Sequence, residues 1–163
     1  MKAVIANSLN FGAKRKRRDV IAICFHYTAN NGDSAMNNAI YFQREPVRAS
    51  AHIFIDQNGK VVKSVRLNRV AYSVETPGMK LKGKWNNANT VSIELCDFNK
   101  NKTISPEMMK AIKKTVKRIR LFCPRAKTLI RHYDVCGKIC PINLIDDIEW
   151  QKFKKEVENG WYN

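Results

Sequence analysis

The chain contains 163 residues, of which 44% are hydrophobic, and its 30 lysines and arginines against 14 acidic residues give a formal net charge of +16. This length corresponds to one domain with a buried core, which excludes an intrinsically disordered chain. No apolar run approaches the ~18–20 residues that span a bilayer, and the N-terminal apolar run is too short for a secretory signal. We therefore expect neither stable membrane insertion nor a conventionally secreted precursor. The positive charge favours a polyanionic partner, although a solvated basic face gives the same composition.

The five cysteines show no spacing typical of a disulfide framework. Cys24 and Cys96 lie within apolar runs, where a buried reduced thiol is usual. Cys136 and Cys140 form a CxxxC spacing, which differs from the redox-active CxxC. We therefore expect free thiols and synthesis in a reducing compartment.

The first predicted elements are a strand and a helix. Residues 19–26 form a continuous apolar run rich in valine, isoleucine and phenylalanine, which is typical of a buried strand. After a polar loop, Asp33 or Ser34 can cap a helix over residues 35–44, and Pro46 ends it.

A hairpin and a further strand follow in the middle of the chain. Residues 51–56 and 60–65 are predicted as two strands joined by an Asn-Gly turn. Residues 75–88 are rich in glycine, proline, lysine and asparagine and predict a mobile surface loop. Residues 89–96 are predicted as another buried strand.

The last elements are two helices with a short strand between them. Ser105 and Pro106 are typical of a helix start, and apolar residues at helical spacing continue to Phe122. Residues 128–131 predict a strand, and residues 145–157 predict the final helix. Because strands and helices are interleaved, the pattern predicts a mixed α/β fold with helices packed on a mixed sheet.

Two histidines and a cysteine form the main candidate constellation. His26 and His132 each follow a predicted buried strand, whose end is a rigid support, and Cys140 comes eight residues after His132. Two imidazoles and one thiolate suit Zn²⁺, and three protein ligands leave a fourth position open, as catalytic sites require. Two alternatives remain open. The histidines could be satisfied by the backbone, or Cys140 could be a nucleophile with His132 as its base.

Four segments follow one another in the chain: Phe25-His-Tyr-Thr-Ala29, Ser50-Ala-His-Ile-Phe-Ile-Asp56, Asn89-Thr-Val-Ser-Ile-Glu-Leu95 and Arg131-His-Tyr-Asp-Val-Cys-Gly-Lys-Ile-Cys-Pro141. Together they resemble the zinc-dependent N-acetylmuramoyl-L-alanine amidases, which include bacteriophage lysozyme-like amidases and are related to peptidoglycan recognition proteins. The resemblance covers residues 19–157. It implies a central mixed β-sheet flanked by helices and one zinc ion per chain. Because the sequence shows no internal repeat and no linker, we expect a single catalytic domain over residues 1–163 with no separate wall-binding module.

The resemblance also implies roles for individual residues. The implied metal ligands are His26, His132 and Cys140, with cysteine at a position where some relatives have aspartate. Lys138 matches a lysine that lies near the reacting carbonyl. Glu94 matches the acidic residue that carries the proton in some branches of the family. Ala51 stands where other branches place a tyrosine for that task, so the role falls to Glu94.

Some positions depart from the family pattern or have weaker assignments. Tyr72 and Ser73 stand where many relatives have tryptophan and histidine, which could alter contacts with the substrate. For His52 we favour packing within the hairpin over a place in the groove. Asp134 is expected to order its loop or to support a ligand.

The leading functional interpretation is a hydrolase that cleaves the amide between N-acetylmuramic acid and L-alanine of the stem peptide in bacterial peptidoglycan. The alternative is a catalytically inactive peptidoglycan-binding module of the same fold, but the presence of Cys140, Lys138 and Glu94 favours the enzyme. Nucleic-acid binding has only the charge in its favour. The chain lacks a recognition-helix motif, and its aromatic residues are not interleaved with the basic clusters.

The same interpretation predicts where the protein acts. We expect a phage or prophage endolysin, made in the bacterial host cytoplasm without a signal peptide, that acts on the cell wall after release. Its expected partners are peptidoglycan and anionic wall polymers, to which the net charge of +16 would attract it.

Overall fold

A computed structural model describes residues 2–159; Met1 and residues 160–163, which the predicted domain includes, lie outside the described residues. The strands are β1 (Lys2–Ala3), β2 (Phe11–Lys14), β3 (Ala22–Tyr27), β4 (Ile53–Ile55), β5 (Val61–Lys63), β6 (Arg69–Ala71), β7 (Thr90–Leu95) and β8 (Thr128–Arg131). The α-helices are α1 (Ala35–Arg44), α2 (Pro106–Phe122), α3 (His132–Cys136) and α4 (Asp147–Glu158). Three short 3₁₀ turns cover Ser8–Asn10, Arg17–Asp19 and Ile142–Leu144.

The main sheet has six strands in the order β1-β5-β4-β7-β3-β8, and β2 pairs with β6 in a separate antiparallel sheet. Strands β3, β4, β7 and β8 are parallel, whereas β5 is antiparallel to β4. The sheet is therefore mixed and carries helices on both faces, which confirms the predicted fold class. The carboxyl ends of the four parallel strands meet at one edge of the sheet.

The two faces of the sheet are covered by different helices. On one face, Phe25 of β3 contacts Trp150 and Phe153 of α4 with ring centroids 6.2 and 5.0 Å apart. Helix α2 packs on the same face through its buried apolar stripe. On the opposite face, the small residues of α1 allow it to pack closely on Phe54 of β4 and Val62 of β5.

The predicted helices and strands are confirmed, with shifts at some ends. Helix α1 begins after Ser34, whose side chain accepts the Asn37 amide, and α2 begins after Ser105. The last helix begins at Asp147, later than predicted, because the Asp146 carboxylate accepts the first free amides. The sequence analysis did not predict β1, β2, β6 or α3, since each is too short to show a periodic pattern.

The five cysteines are buried free thiols. None of the helices within residues 2–159 has both the length and the apolar character needed to cross a lipid bilayer.

A buried guanidinium connects the end of β8 to the segments that follow it. Arg131 is 5% exposed and binds the Asp134 carboxylate of α3 at 2.7 Å. It also donates to the carbonyls of Leu144 and Ile145 at 3.0 and 2.8 Å and pairs with Asp147 of α4 at 3.0 Å. One side chain therefore fixes three segments of the chain at the carboxyl edge of the sheet.

Replacing this guanidinium should destabilise the fold. Arg131→Gln leaves two carbonyls without their donor and removes the positive partner of the Asp134 carboxylate, which keeps only the backbone amide of residue 131. We expect the free energy of unfolding to fall by about 3 kcal/mol. Denaturant titration followed by circular dichroism measures the change. The exposed Arg125→Gln is the control and should change the free energy by less than about 0.5 kcal/mol. An equal, small effect of both variants would contradict this role of Arg131.

Candidate metal centre

The structure brings His26, His132 and Cys140 together. His26 lies at the end of β3, His132 directly follows β8 as the first residue of α3, and Cys140 lies in the loop after α3. Their ligand atoms all lie within 4.8 Å of one another, and the Cys140 Sγ is 3.9 Å from the His26 Nδ1. Each residue is at most 3% exposed. The three donors therefore form a compact buried cluster.

The hydrogen bonds of the two histidines leave one nitrogen of each ring without a partner. The His132 Nε2 lies 3.1 Å from the Val74 carbonyl and 3.1 Å from the Thr76 hydroxyl. The His132 Nδ1 and the His26 Nε2 are buried and form no hydrogen bond. A buried nitrogen without a partner costs about 1–3 kcal/mol unless something else satisfies it. This disfavours the alternative in which the backbone satisfies both rings, and it suits metal ligation.

The protonation states also suit a metal. Burial lowers the pKa of His26 well below its ordinary value, and the nearby His132 and Lys138 act in the same direction. Burial and Lys138 likewise lower the pKa of His132 to about 4. Both rings are therefore neutral at pH 7, the form in which imidazole binds a metal. The donor set of two neutral imidazoles and a thiol fits Zn²⁺.

Cys140 does not have the surroundings of a nucleophile. Burial, and then the charge of Glu94, raise the pKa of the thiol to about 12, although the Tyr27 backbone and Lys138 act in the opposite direction. A nucleophilic cysteine needs a lowered pKa, so the Cys–His alternative is disfavoured. The loop that carries Cys140 folds back against α3, where the Tyr133 amide donates to the Cys140 carbonyl at 3.0 Å. Gly137 ends α3 with a φ of 83°, a conformation that favours glycine.

Glu94 and Lys138 lie beside the cluster. Glu94 of β7 pairs in register with His26, and its Oε2 is buried without a hydrogen-bond partner. Burial raises the pKa of Glu94 to about 7, while the charge of Lys138 acts to lower it. Lys138 itself is exposed in the loop between α3 and Cys140. The two residues place a carboxyl group and a cation next to the three donors.

A groove of about 530 Å³ extends from Glu94 towards α1. It lies on the α1 face of the sheet, and its lining includes Tyr27, Thr28, Asn30, Asn37 and Tyr41. Amide, hydroxyl and aromatic groups are therefore exposed in a cleft next to the candidate centre, a composition suited to a polar ligand with some apolar surface.

His52 and Ala51 lie outside the centre. His52 is 1% exposed, its Nδ1 lies 3.0 Å from the Ser92 hydroxyl, and Arg15 contacts its Nε2 at 2.8 Å. The predicted packing role of His52 agrees with these contacts. Ala51 is buried at 1% exposure in the cluster with α1, so it offers no group for proton transfer.

Tyr72, Ser73 and Asp134 are not members of the buried cluster. Tyr72 is 37% exposed, and its amide donates to the Ser50 hydroxyl. The Ser73 amide donates to the Asn87 side chain, while the Ser73 hydroxyl is buried without a partner. The Asp134 carboxylate accepts from Arg131, so it orders the loop, which was one of its two predicted roles.

The sequence analysis missed the two partners of His132. Val74 lies directly before the segment 75–88, and Thr76 lies near its start. This segment has no helix or strand, as predicted. It is nevertheless tied to the site, because the Lys82 amide donates to the Val135 carbonyl at 2.7 Å and Thr76 contacts His132. A loop without periodicity gives no signal from which these contacts could be predicted.

Comparison with known proteins gives a family. The family model described as N-acetylmuramoyl-L-alanine amidase (Amidase_2) matches residues 16–143, which include the three clustered donors, Glu94 and Lys138. The chain is 29% identical over 153 residues to the N-acetylmuramoyl-L-alanine amidase CwlL of Bacillus licheniformis, and 29% identical over 157 residues to BlyA of Bacillus subtilis strain 168. Each match covers 88% of this chain and 42% of the relative, so the chain spans about two fifths of these relatives' length.

Solved structures share the fold. A mutant endolysin from Bacillus subtilis superposes with a TM-score of 0.76 at 21% identity, covering 96% of this chain and 97% of the other. The catalytic domain of XlyA gives a TM-score of 0.76 at 20% identity with the same coverage. These likenesses concern the fold, whereas the family model matches more than half of the sequence itself. The chain therefore belongs to the N-acetylmuramoyl-L-alanine amidase family.

Proposed function

We propose that the protein is a zinc-dependent N-acetylmuramoyl-L-alanine amidase. It hydrolyses the amide that joins the lactyl group of N-acetylmuramic acid to L-alanine of the stem peptide in peptidoglycan. The observation that carries the proposal is the buried cluster of His26, His132 and Cys140, whose ligand atoms lie within 4.8 Å of one another. Membership of a generally zinc-dependent amidase family supports the same metal and reaction.

In this proposal His26, His132 and Cys140 hold one zinc ion per chain. When bound there, the ion would polarise the scissile carbonyl and lower the pKa of a water molecule towards ~7. The protein's contribution is to hold the three donors fixed. Val74 and Thr76 orient the His132 ring through its Nε2, which leaves the Nδ1 free to bind.

Glu94 is the proposed proton carrier. Its unpartnered Oε2 and its pKa of about 7 suit a group that takes a proton and releases it within one turnover. The carboxylate removes a proton from the attacking water and delivers it to the leaving nitrogen. The carbon–nitrogen bond then breaks, which gives the carboxyl group of N-acetylmuramic acid and the free amino group of L-alanine.

Lys138 is proposed to stabilise the oxygen that becomes negative in the transition state. Its charge acts on His26, His132 and Glu94, so it lies close to the reacting groups, and its side chain is exposed. A fixed positive charge beside a developing oxyanion is a large source of rate enhancement. The groove next to Glu94 would hold the peptidoglycan strand, with its amide and aromatic side chains against sugar and peptide.

The retained Glu94, Lys138 and Cys140 favour this enzyme over an inactive peptidoglycan-binding module. We further propose a phage or prophage endolysin that is made in the bacterial cytoplasm and acts on the wall after release. The net charge of +16 would draw it to anionic wall polymers.

Digestion of purified cell walls tests the reaction and the metal together. We expect release of N-terminal L-alanine without new reducing sugar ends, about one zinc per chain, and loss of activity on chelation that added zinc reverses. Amino-group assay, reducing-sugar assay and elemental analysis give the three readouts. A metal-free preparation with full activity would exclude zinc dependence, and new reducing ends alone would indicate a glycosidase.

Glu94→Gln should abolish most turnover while leaving the fold and the zinc content unchanged. The amide keeps the shape of the side chain but cannot accept the proton, a loss of ~10²–10⁴-fold in rate. The rate of L-alanine release measures the effect, with the exposed Glu45→Gln as the control. A turnover rate of Glu94→Gln within about twofold of the wild type would assign Glu94 a structural role, because loss of the general base lowers the rate much further.

Lys138→Ala should lower kcat by about 10²-fold while wall binding changes little, because the oxyanion exists only near the transition state. Co-sedimentation with walls measures binding, and turnover of a soluble muropeptide measures kcat. Lys84→Ala removes an equal charge from the exposed part of the neighbouring loop and serves as the control. Weakened binding with unchanged kcat would show that Lys138 only contacts the wall.

Thr76→Val should weaken zinc binding by about tenfold, because the His132 ring loses one of its two positioning contacts. Competition with a chromophoric chelator measures the affinity. Thr103→Val replaces an exposed threonine far from the ring and should leave it unchanged. Equal affinities for the two variants would show that the Val74 carbonyl alone orients His132.

A further inference from the structure

A second cavity of about 490 Å³ lies away from the metal centre. It is formed by the C-terminal half of α2, the β4–β5 pair, residues 65–68 directly before β6, and N-terminal residues that include Ile5 and Arg17. It shares no residue with the cluster or the groove. Helix α2 leads back to the amino end of β8, so its C-terminal half lies near the amino ends of the parallel strands. The cavity is therefore at the opposite end of the sheet from Glu94.

The floor of the cavity is apolar. Ile53 and Val65 are each 3% exposed, Ile119 is 1% exposed, and the more open Leu67 and Phe122 complete the surface. Its volume lies within the ~300–1,000 Å³ that is usual for small-molecule sites. An apolar surface of this size suits an alkyl chain.

The rim of the cavity is cationic. The lining includes Arg17, Lys63, Arg66 and Arg118 and contains no acidic residue. Within residues 2–159, none of these four side chains forms an ion pair. The guanidinium groups of Arg17 and Arg118 lie 5.4 and 5.9 Å from the centroid of the Phe122 ring. Four cations that form no ion pair with the described residues therefore surround an apolar floor.

A buried hydroxyl inside the cavity also has no partner. Thr115 is 1% exposed, lines the cavity, and its Oγ1 forms no hydrogen bond. Because Thr115, Arg118 and Phe122 are spaced at three and four residues along α2, they lie on one face of the helix. A ligand with an acceptor group would satisfy the hydroxyl and meet the Arg118 charge together.

We propose that this cavity binds an amphipathic anion, with its alkyl chain on the apolar floor and its phosphate or carboxylate head between Thr115 and the cationic rim. The head could belong to a lipid in a bilayer or to a free single-chain molecule. A purely polar polyanion would use the rim and leave the floor exposed to water. The site is separate from the proposed amidase centre, so binding does not require the metal ligands.

Calorimetric titration of the full 163-residue chain with octyl phosphate below its micelle concentration tests the site. Two matched probes each lack one part of the ligand. Octyl glucoside has the alkyl chain without the charge, and inorganic phosphate has the charge without the alkyl chain. We expect saturable binding of one octyl phosphate per chain and affinities at least about tenfold weaker for the other two, because each lacks one half of the interaction. Equal binding of inorganic phosphate, or no saturable binding of octyl phosphate, would overturn the proposal.

Two double variants locate the binding. Lys63→Gln with Arg118→Gln removes two rim charges and should weaken octyl phosphate binding by about tenfold or more. Lys114→Gln with Lys117→Gln removes the same charge from exposed positions of α2 outside the cavity and should change it by less than about twofold, since only screened long-range charge is lost. Thr115→Val should also weaken binding. Equal losses of octyl phosphate affinity in the two double variants would show that binding depends only on the net charge of the protein, and this would overturn the proposal.

Vesicles distinguish the two sources of the ligand. Retention of the protein on phosphatidylglycerol vesicles, lost in the rim variant and kept in the Lys114/Lys117 control, would support the site with a bilayer lipid as its source. Binding of octyl phosphate without such retention would support the site with a free amphiphile as its source. Retention on vesicles without binding of the octyl phosphate monomer would overturn the proposal.

Discussion

The parallel pairing of β3 with β7 and β8 is the constraint on which the rest of the centre depends. It brings the carboxyl ends of three strands to one edge, where His26 and Glu94 stand in register and His132 follows directly. Hydrogen bonds along buried strands hold backbone positions more closely than a loop can. His26, Glu94 and His132 are separated widely in sequence, and the order of the strands makes them neighbours.

The centre contains several buried polar atoms that form no hydrogen bond within the protein. The His26 Nε2, His132 Nδ1, Glu94 Oε2 and Thr28 Oγ1 are buried without hydrogen bonds, and all four lie at the cluster or its groove. Native proteins pair most buried polar atoms, so a concentration of exceptions marks a place where a ligand completes the arrangement. The apolar core on the α2 and α4 face, built around Phe25, supplies the stability that offsets this local cost.

Much of the architecture could be predicted from the sequence, because long buried strands and amphipathic helices have a periodic signal. The apolar run before His26 and the stripe along α2 are examples. The donors could be named because a strand end, a short spacing to Cys140 and a family motif agree. The contacts of Val74 and Thr76 with His132 could not be predicted, since they join a loop to a residue more than fifty positions away. The two-residue strand β1 and the five-residue helix α3 form through tertiary contacts, which a local pattern does not contain.

The sequence separation of the donors has a consequence for resistance to unfolding. His26 and Cys140 are 114 positions apart, and the five cysteines are free thiols. On the proposed assignment, one metal ion would act as a cross-link that closes 114 of the 163 positions of the chain into a loop. By the polymer argument applied to disulfides, closing a loop of this length removes entropy from the unfolded chain worth about 4–5 kcal/mol. The same ion would then take part in the reaction and also stabilise the fold, in a domain whose cysteines form no disulfide.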